Sequence, residues 1–273
     1  MKWNGHTHTS FCYHGSNAPM EEYVEAAIKL GFDRYTLSEH PPLPKGWIPD
    51  EPLMRELAME ERELPDYLAA AFDIKKRYAD RIEVLVGLEL DYLDGRTDYS
   101  LQLLEKTEGR LEDLLVSVHY LPGKGGMRCI DYTPQDFQEN LIAYYGSMAA
   151  VVDAYYDHVE LALEWAASLP YPTKRLGHIN LIRKFQKALP PIDGEQVNER
   201  LARLLPLLKK SKLGLDVNTA GLRVATCQEA YVPEWLLREC TRESIPFVFG
   251  SDAHKPEDVG SGWDWFEHTI KHL

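Results

Sequence analysis

The sequence predicts an α/β fold, a seven-stranded, TIM-like β/α barrel. Two observations carry this reading. Seven short strand-like runs alternate with longer helical stretches along 273 residues, and parallel strands need such crossovers. The side chains able to ligate metal cluster at the ends of those runs, and in a barrel all strand C-termini meet at one mouth. A single barrel of this length is ordinary, and an apolar fraction of 44% can fill its core. No linker or low-complexity tract interrupts the chain, so one domain over residues 1–273 is expected.

The runs justify themselves in order. KWNGHTHT (2–9) alternates so that His6 and His8 share a face. DRYTLSEH (33–40) ends in His40, and IEVLVGLELDY (82–92) carries Glu89 near its end. DLLVSVHYL (113–121) brings His119, and RLGHINL (175–181) brings His178. KLGLDVNTAG (212–221) brings Asn218, and IPFVFGSDAH (245–254) closes with Asp252 and His254. Between them, MEEYVEAAIKLG (20–31) sets Tyr23, Ala26, Ala27 and Leu30 at helical spacing, with Gly31 as a stop. Residues 134–169 are long enough for one bent helix or two, and 193–211 and 233–243 follow the same logic. The Pro-rich loop 41–52 and the loop 121–134 carry no assigned role, and PGKGGMR in the latter reads as solvated and mobile.

Composition narrows the partners. The formal net charge is −13, which argues against nucleic acid, whose binders present basic surfaces to phosphate. A small anion needs only a local cationic pocket. No secretory leader and no apolar run near 18 residues is evident, so a soluble cytoplasmic protein without a membrane partner is expected. None of the four cysteines forms a C-x-x-C pair. Cys12, inside the opening motif, reads as a small buried filler rather than a soft metal ligand.

Seven histidines, one Glu and one Asp form the candidate ligand set: His6, His8, His14, His40, Glu89, His119, His178, Asp252 and His254. Nine ligands are too many for one ion. At three apiece they serve three divalent transition-metal ions, and imidazole with carboxylate suits Zn, Fe or Mn. His158, His268 and His272 fall in helical or terminal stretches and are given no role.

The H-x-H-T opening, the strand-end EH, GLELDY, HY, GHINL and the closing SDAH together resemble the polymerase and histidinol phosphatase (PHP) family. The likeness spans nearly the whole chain, with the motifs in the family's order. HTHTSFCYHGS, SEHPPLP and NTAGLR are similar to its monofunctional histidinol-phosphate phosphatases. The resemblance implies a distorted form of the seven-stranded barrel. It implies hydrolysis of a small phosphate monoester, L-histidinol phosphate, to L-histidinol and phosphate in histidine biosynthesis. It also implies a division of ligands. His6, His8, Glu89 and Asp252 hold one ion, Glu89 bridges to a second held by His119 and His178, and His14, His40 and His254 hold the third. His14 lies in the loop after the first strand, and the resemblance alone makes it a ligand.

In the reaction so implied, metal-activated hydroxide attacks phosphorus while ions clamp the attacking and leaving oxygens. Glu89, Asp252 and His254 are the expected catalytic groups. The proton for the leaving group is left open among a ligand histidine, Asp252 and a metal-held water. The resemblance makes Arg183 and Arg223 phosphate clamps, whose planar forks match phosphate, and Asn218 is expected to point into the same mouth. The amine and imidazole of histidinol call for acidic and aromatic groups in the pocket, and Glu39, Asp91 and Asp216 lie near strand ends; Asp91 and Asp216 either line that pocket or, in the preferred reading, orient ligand histidines from behind. Trp47 either covers substrate or anchors its loop. A nuclease shares the metal core, but the acidic balance opposes it. An amidohydrolase needs a strand-borne lysine where Glu89 stands. A non-enzymatic metal domain would lack ligands, and none is missing.

Overall fold

The computed structural model describes residues 1–273. The barrel strands are β1 (Trp3–Asn4), β2 (Arg34–Glu39), β3 (Glu83–Asp91) and β4 (Asp113–Ser117). A hairpin follows, β5 (Tyr120–Gly123) with β6 (Gly126–Cys129), and then β7 (Lys174–Leu176), β8 (Gly214–Asn218) and β9 (Phe247–Gly250). The closed barrel runs β1-β2-β3-β4-β7-β8-β9, and every pairing within it is parallel. The seven expected strands are all present, several shorter than their sequence runs. β1 and β7 hold two and three residues, because the chain there leaves the ladder to turn its histidines into the mouth.

The helices in chain order are α1 (Met20–Lys29), α2 (Glu51–Leu57), α3 (Leu64–Arg77), α4 (Thr97–Lys106) and α5 (Pro134–Phe137). After these come α6 (Ala143–Tyr145), α7 (Met148–Ser168), α8 (Gly194–Ser211), α9 (Ala220–Arg223), α10 (Glu234–Arg242) and α11 (Trp263–Lys271). The stretch 134–169 is broken rather than merely bent. A π turn joins α5 to α6, Gly146 then takes a left-handed φ of 86°, and the Ser147 hydroxyl caps α7 by accepting from the Ala150 N–H at 3.1 Å. α2, α3, α4, α9 and α11 are additions to the helices read from sequence. In α3 the buried Leu64, Tyr67, Leu68, Ala71 and Ile74 show the amphipathic spacing plainly.

PGKGGMR is ordered, which corrects the expectation of a mobile loop. It forms the β5–β6 hairpin, paired from Tyr120↔Cys129 to Gly123↔Gly126. Gly125 and Gly126 at its turn adopt φ of 82° and 146°, values open to glycine. Trp47 is buried with Ile48, Leu53, Leu93, Tyr120 and Cys129 in a small cluster beside the main core. It is therefore an anchor that fastens the 41–52 loop to the hairpin.

The base of the barrel holds a polar plug. Arg175 donates to both carboxylate oxygens of Asp113 at 2.7 Å and to the Gly5 carbonyl at 2.8 Å. Thr36 Oγ1 donates to Asp113 at 2.9 Å, and Trp3 Nε1 donates to Thr36 at 3.0 Å. The Arg175 guanidinium also lies 4.8 Å from the centre of a Trp3 ring. Both members of the ion pair are buried. Such a pair contributes little against an apolar replacement, but losing one partner strands a charge. Arg175→Ala is therefore expected to lower unfolding free energy by about 3–5 kcal/mol, read from denaturant titration; a change under about 1 kcal/mol would contradict it.

Candidate active site

The strand ends deliver their histidines into one cluster. His6 Nε2 lies 3.0 Å from Glu89 Oε2, and His8 Nε2 lies 3.2 Å from Asp252 Oδ1 and 3.4 Å from Glu89 Oε2. On the other side of the same carboxylate, Glu89 Oε1 lies 2.9 Å from His178 Nε2 and 3.7 Å from His119 Nε2. The His119 and His178 Nε2 atoms are 3.0 Å apart. Toward solvent, His14 and His254 face each other Nε2 to Nε2, also at 3.0 Å. His40 Nδ1 lies 3.5 Å from Glu89 Oε2. The His8 ring packs against both His40 and His254, with centroids 4.2 and 4.0 Å away. All nine predicted ligand residues thus meet at one mouth.

Acceptors behind the cluster fix five of the seven rings. Asp216 Oδ2 accepts from His6 Nδ1 at 2.7 Å, Glu39 Oε1 from His8 at 3.2 Å and Asp91 Oδ1 from His119 at 2.6 Å. The Glu56 carbonyl accepts from His14 Nδ1 at 2.8 Å, and the Asp252 carbonyl accepts from His254 Nδ1 at 3.1 Å. Asp91 and Asp216 thus orient ligand histidines as expected, and Glu39 joins them. The tautomers follow. A carbonyl only accepts, so Nδ1 of His14 and of His254 carries the proton and each Nε2 presents a lone pair. Two lone pairs 3.0 Å apart repel unless a cation sits between them.

The deeper atoms say the same. Nε2 of His6, Nε2 of His8 and Oδ1 of Asp252 are buried with no hydrogen-bond partner. They are close to one another but misaligned for hydrogen bonding, as lone pairs aimed at a shared centre are. Three groupings have ligand atoms mutually within 4.8 Å: His6, His8 and Glu89; Glu89, His119 and His178; and His8, Cys12, His40 and His254. Burial disfavours a charged His6, yet the Glu89, Asp216 and Asp252 carboxylates outweigh it and push its pKa up to about 10. Burial likewise opposes an ionised Glu89, but His6 and His119 overcome it and hold Glu89 well below the carboxylate range. This is a site built to take positive charge, and its donors fit divalent transition metals.

The backbone makes room for the arrangement. Asp252 occupies the left-handed region, with φ 52°, where an Asp is uncommon. A Cβ on Gly250 would lie 2.0 Å from Asp216 Oδ1 and 2.8 Å from His6 Cβ. Only glycine lets β9 pass behind that oriented histidine.

The cluster opens into a cavity of about 350 Å3, large enough for a small ligand. Arg223 lines it, held by the Ser251 carbonyl at 2.7 Å and the Asp252 carbonyl at 2.6 Å. Arg183 does not line it. That side chain turns to Gln186 Oε1 at 2.6 Å and Glu229 Oε2 at 3.2 Å. Its neighbour Lys184 lines the cavity instead, paired with Asp131 Oδ2 at 2.8 Å. Asn218 is buried behind the site, donating to Asp252 Oδ2 at 3.1 Å and Asp216 Oδ2 at 3.2 Å. It steadies carboxylates rather than facing the cavity. Cys12 is buried beside His8, His40 and His254. Asp131, Lys184, Glu56 and Tyr231 also line the cavity and had not been singled out from sequence.

Two substitutions test the assembly. Glu89→Gln is expected to abolish retention of the ions that share this carboxylate, measured by elemental analysis after gel filtration. Asp91→Ala removes the orienting acceptor of His119 and is expected to weaken metal affinity about 10–100-fold in a chelator competition. Wild-type retention in Glu89→Gln would remove that residue from the metal centre.

Comparison with known proteins places this geometry. The PHP domain model matches residues 4–220, and a PHP-associated model matches residues 237–272. The chain is 37% identical to a histidinol-phosphatase of Bacillus subtilis, over 97% of this chain and 98% of that protein. A Listeria monocytogenes structure assigned as a histidinol phosphatase superposes with a TM-score of 0.92 at 36% identity, covering 97% of this chain and all of that one. The histidinol phosphate phosphatase of Lactococcus lactis, crystallised with zinc, L-histidinol and phosphate, shares the fold at a TM-score of 0.69 and 16% identity. It covers 98% of this chain and 93% of that one. A convergent histidine and carboxylate centre at the mouth of a seven-stranded parallel barrel, in a chain so matched, makes this protein a member of the PHP family.

Proposed function

We propose that the chain is a metal-dependent phosphomonoesterase that converts L-histidinol phosphate to L-histidinol and phosphate. One observation carries the reading: an uninterrupted donor set opens onto a single cavity in a chain 37% identical to a histidinol-phosphatase over nearly its whole length. The last barrel strand, with Asp252 and His254, lies inside the PHP-associated region 237–272. That region completes the barrel, so we treat residues 1–273 as one catalytic unit. No helix is long and apolar enough to cross a membrane. The four cysteines are free and buried, which suits a reducing compartment, and we place the protein in the cytoplasm.

We assign three ions of the Zn, Fe or Mn class. His6, His8, Glu89 and Asp252 would hold the first; Glu89, His119 and His178 the second; His14, His40 and His254 the third. When bound, such ions supply Lewis-acid charge and make water nucleophilic near neutral pH. The chain itself does the rest. Glu89, Asp252 and His254 are the catalytic groups: Glu89 spans two ligand sets, and Asp252 and His254 line the cavity where the leaving alkoxide needs a proton. Arg223 presents a cation to the phosphoryl oxygens, pre-positioned by two backbone carbonyls and by Asp258 at 3.4 Å. Arg183 reaches phosphate in this reading by exchanging Gln186 and Glu229 for it. Asn218 contributes through Asp252.

The deciding assay is phosphate release by metal-replete protein from L-histidinol phosphate, beside other monoesters and a short oligonucleotide. Strong preference for L-histidinol phosphate is expected; activity confined to the oligonucleotide would shift the reading to a nuclease of the same family. Arg223→Ala is expected to raise KM for L-histidinol phosphate about tenfold or more while metal content holds, and an unchanged KM would remove it from the clamp.

A further inference from the structure

The cavity holds a charge pair that the reaction above does not use. Asp131 and Lys184 meet at 2.8 Å on its wall. The Cys129 thiol donates to the other Asp131 oxygen at 3.1 Å. The β5–β6 hairpin places the carboxylate. Its return strand ends at Cys129, and the Ile130 N–H donates to the His119 carbonyl at 2.8 Å, so residue 131 emerges beside a metal-ligating strand end. Lys184 arrives from the turn after β7, next to His178. A partly buried ion pair is weak evidence of stabilisation, because desolvation and solvent screening offset its attraction. Its place on a cavity wall calls for another reason.

Four carboxylates line the cavity: Glu56, Glu89, Asp131 and Asp252. Glu89 and Asp252 belong to the metal centre. Glu56 sits on an exposed turn of α2, where solvent weakens any ion pair. Asp131 is held from two sides, its side chain only 23% exposed, and a carboxylate with two bonds made retains further acceptor sites. A charge fixed in such surroundings discriminates strongly. Resting on the reading proposed above, we infer that Asp131 is the acceptor for the cationic amine of the substrate, with Lys184 holding it in place. The pair presents both signs of charge to a ligand that carries both, a phosphate at one end and an ammonium beside it.

The test compares L-histidinol phosphate with 3-(imidazol-4-yl)propyl phosphate, which differs by the amine alone. Wild-type protein is expected to favour the amine-bearing ester at least tenfold in kcat/KM. Asp131→Asn should erase that ratio through KM for the amine-bearing ester, leaving kcat/KM for the other ester and metal content near wild type. Asp131→Asn/Lys184→Met removes both charges and strands neither. It should show the same loss, and it carries the test if the single variant does not fold. Retention of the wild-type ratio in a folded, metal-loaded variant lacking Asp131 overturns the assignment alone. Loss of the ratio in Glu56→Gln with its retention in Asp131→Asn moves the role to α2 and also overturns it. Wild-type protein that hydrolyses neither ester but cleaves other monoesters overturns the substrate reading, and this assignment with it.

Discussion

Imidazole lone pairs that point at one another hold the key to this structure. At His14 and His254, and again at His119 and His178, two Nε2 atoms approach to 3.0 Å. At His14 and His254, where both Nδ1 protons are committed to carbonyls, the contact is repulsive until a cation enters. The protein fixes five of the rings from behind: Asp216 holds His6, Glu39 holds His8, Asp91 holds His119, and backbone carbonyls hold His14 and His254. A flexible set of histidines would rotate apart. This set is held together, so the attraction for positive charge is built in before any ion arrives.

The architecture follows from that requirement. Each fixed histidine needs a rigid element under it and an acceptor on a neighbouring element. A parallel barrel supplies both, since adjacent strands end side by side at one mouth. His119 after β4 is oriented by Asp91 on the adjacent β3, and His6 on the chain leaving β1 by Asp216 on β8, one strand further round past β9. The design sets limits on the strands. β1 and β7 are short because their continuations turn to present ligands, and β9 passes at glycine because Asp216 and His6 fill the space behind it. Charge buried at the mouth is separated from the base by barrel interior, and the base has its own closed network around Arg175 and Asp113. The base network pairs its two charges directly, whereas the mouth leaves His6 Nε2, His8 Nε2 and Asp252 Oδ1 without a protein partner.

The sequence revealed the mouth more fully than the cavity above it. Strand alternation and strand-end position brought out every ligand but His14, whose loop has no period to read. Asp91 and Asp216 were visible for the same reason: they share parity with Glu89 and Asn218. The cavity wall comes from segments without such rules. Arg183 and Lys184 are adjacent in a short 3-10 turn, and which one faces the cavity depends on the carboxylates nearby, Glu229 for one and Asp131 for the other. Asn218 has the right parity but is drawn backward by Asp216 and Asp252. The hairpin at 120–129 was hidden by its glycines, which read as flexibility and serve instead as the turn of a paired ribbon.

That difference separates the two parts of the site. The ligand set is locked by neighbours on six strands, and a change in any member disturbs several others. The wall is made from the α2 turn, the hairpin return and the turn after β7, which meet the centre at few points: the Glu56 carbonyl on His14 and the Ile130 N–H on the His119 carbonyl. Such segments can vary while the centre stays fixed. The −13 net charge of the chain makes the point in electrostatic terms. In the proposed reading an anionic ester is drawn into an acidic protein, which calls for cations where it binds, and the metal-binding cluster and Arg223 stand there with Lys184 on the wall against Asp131. A carboxylate retained among them works against phosphate binding unless it meets a positive group on the same ligand. Asp131 in that position is therefore better explained by the alcohol half of the substrate than by the phosphate half.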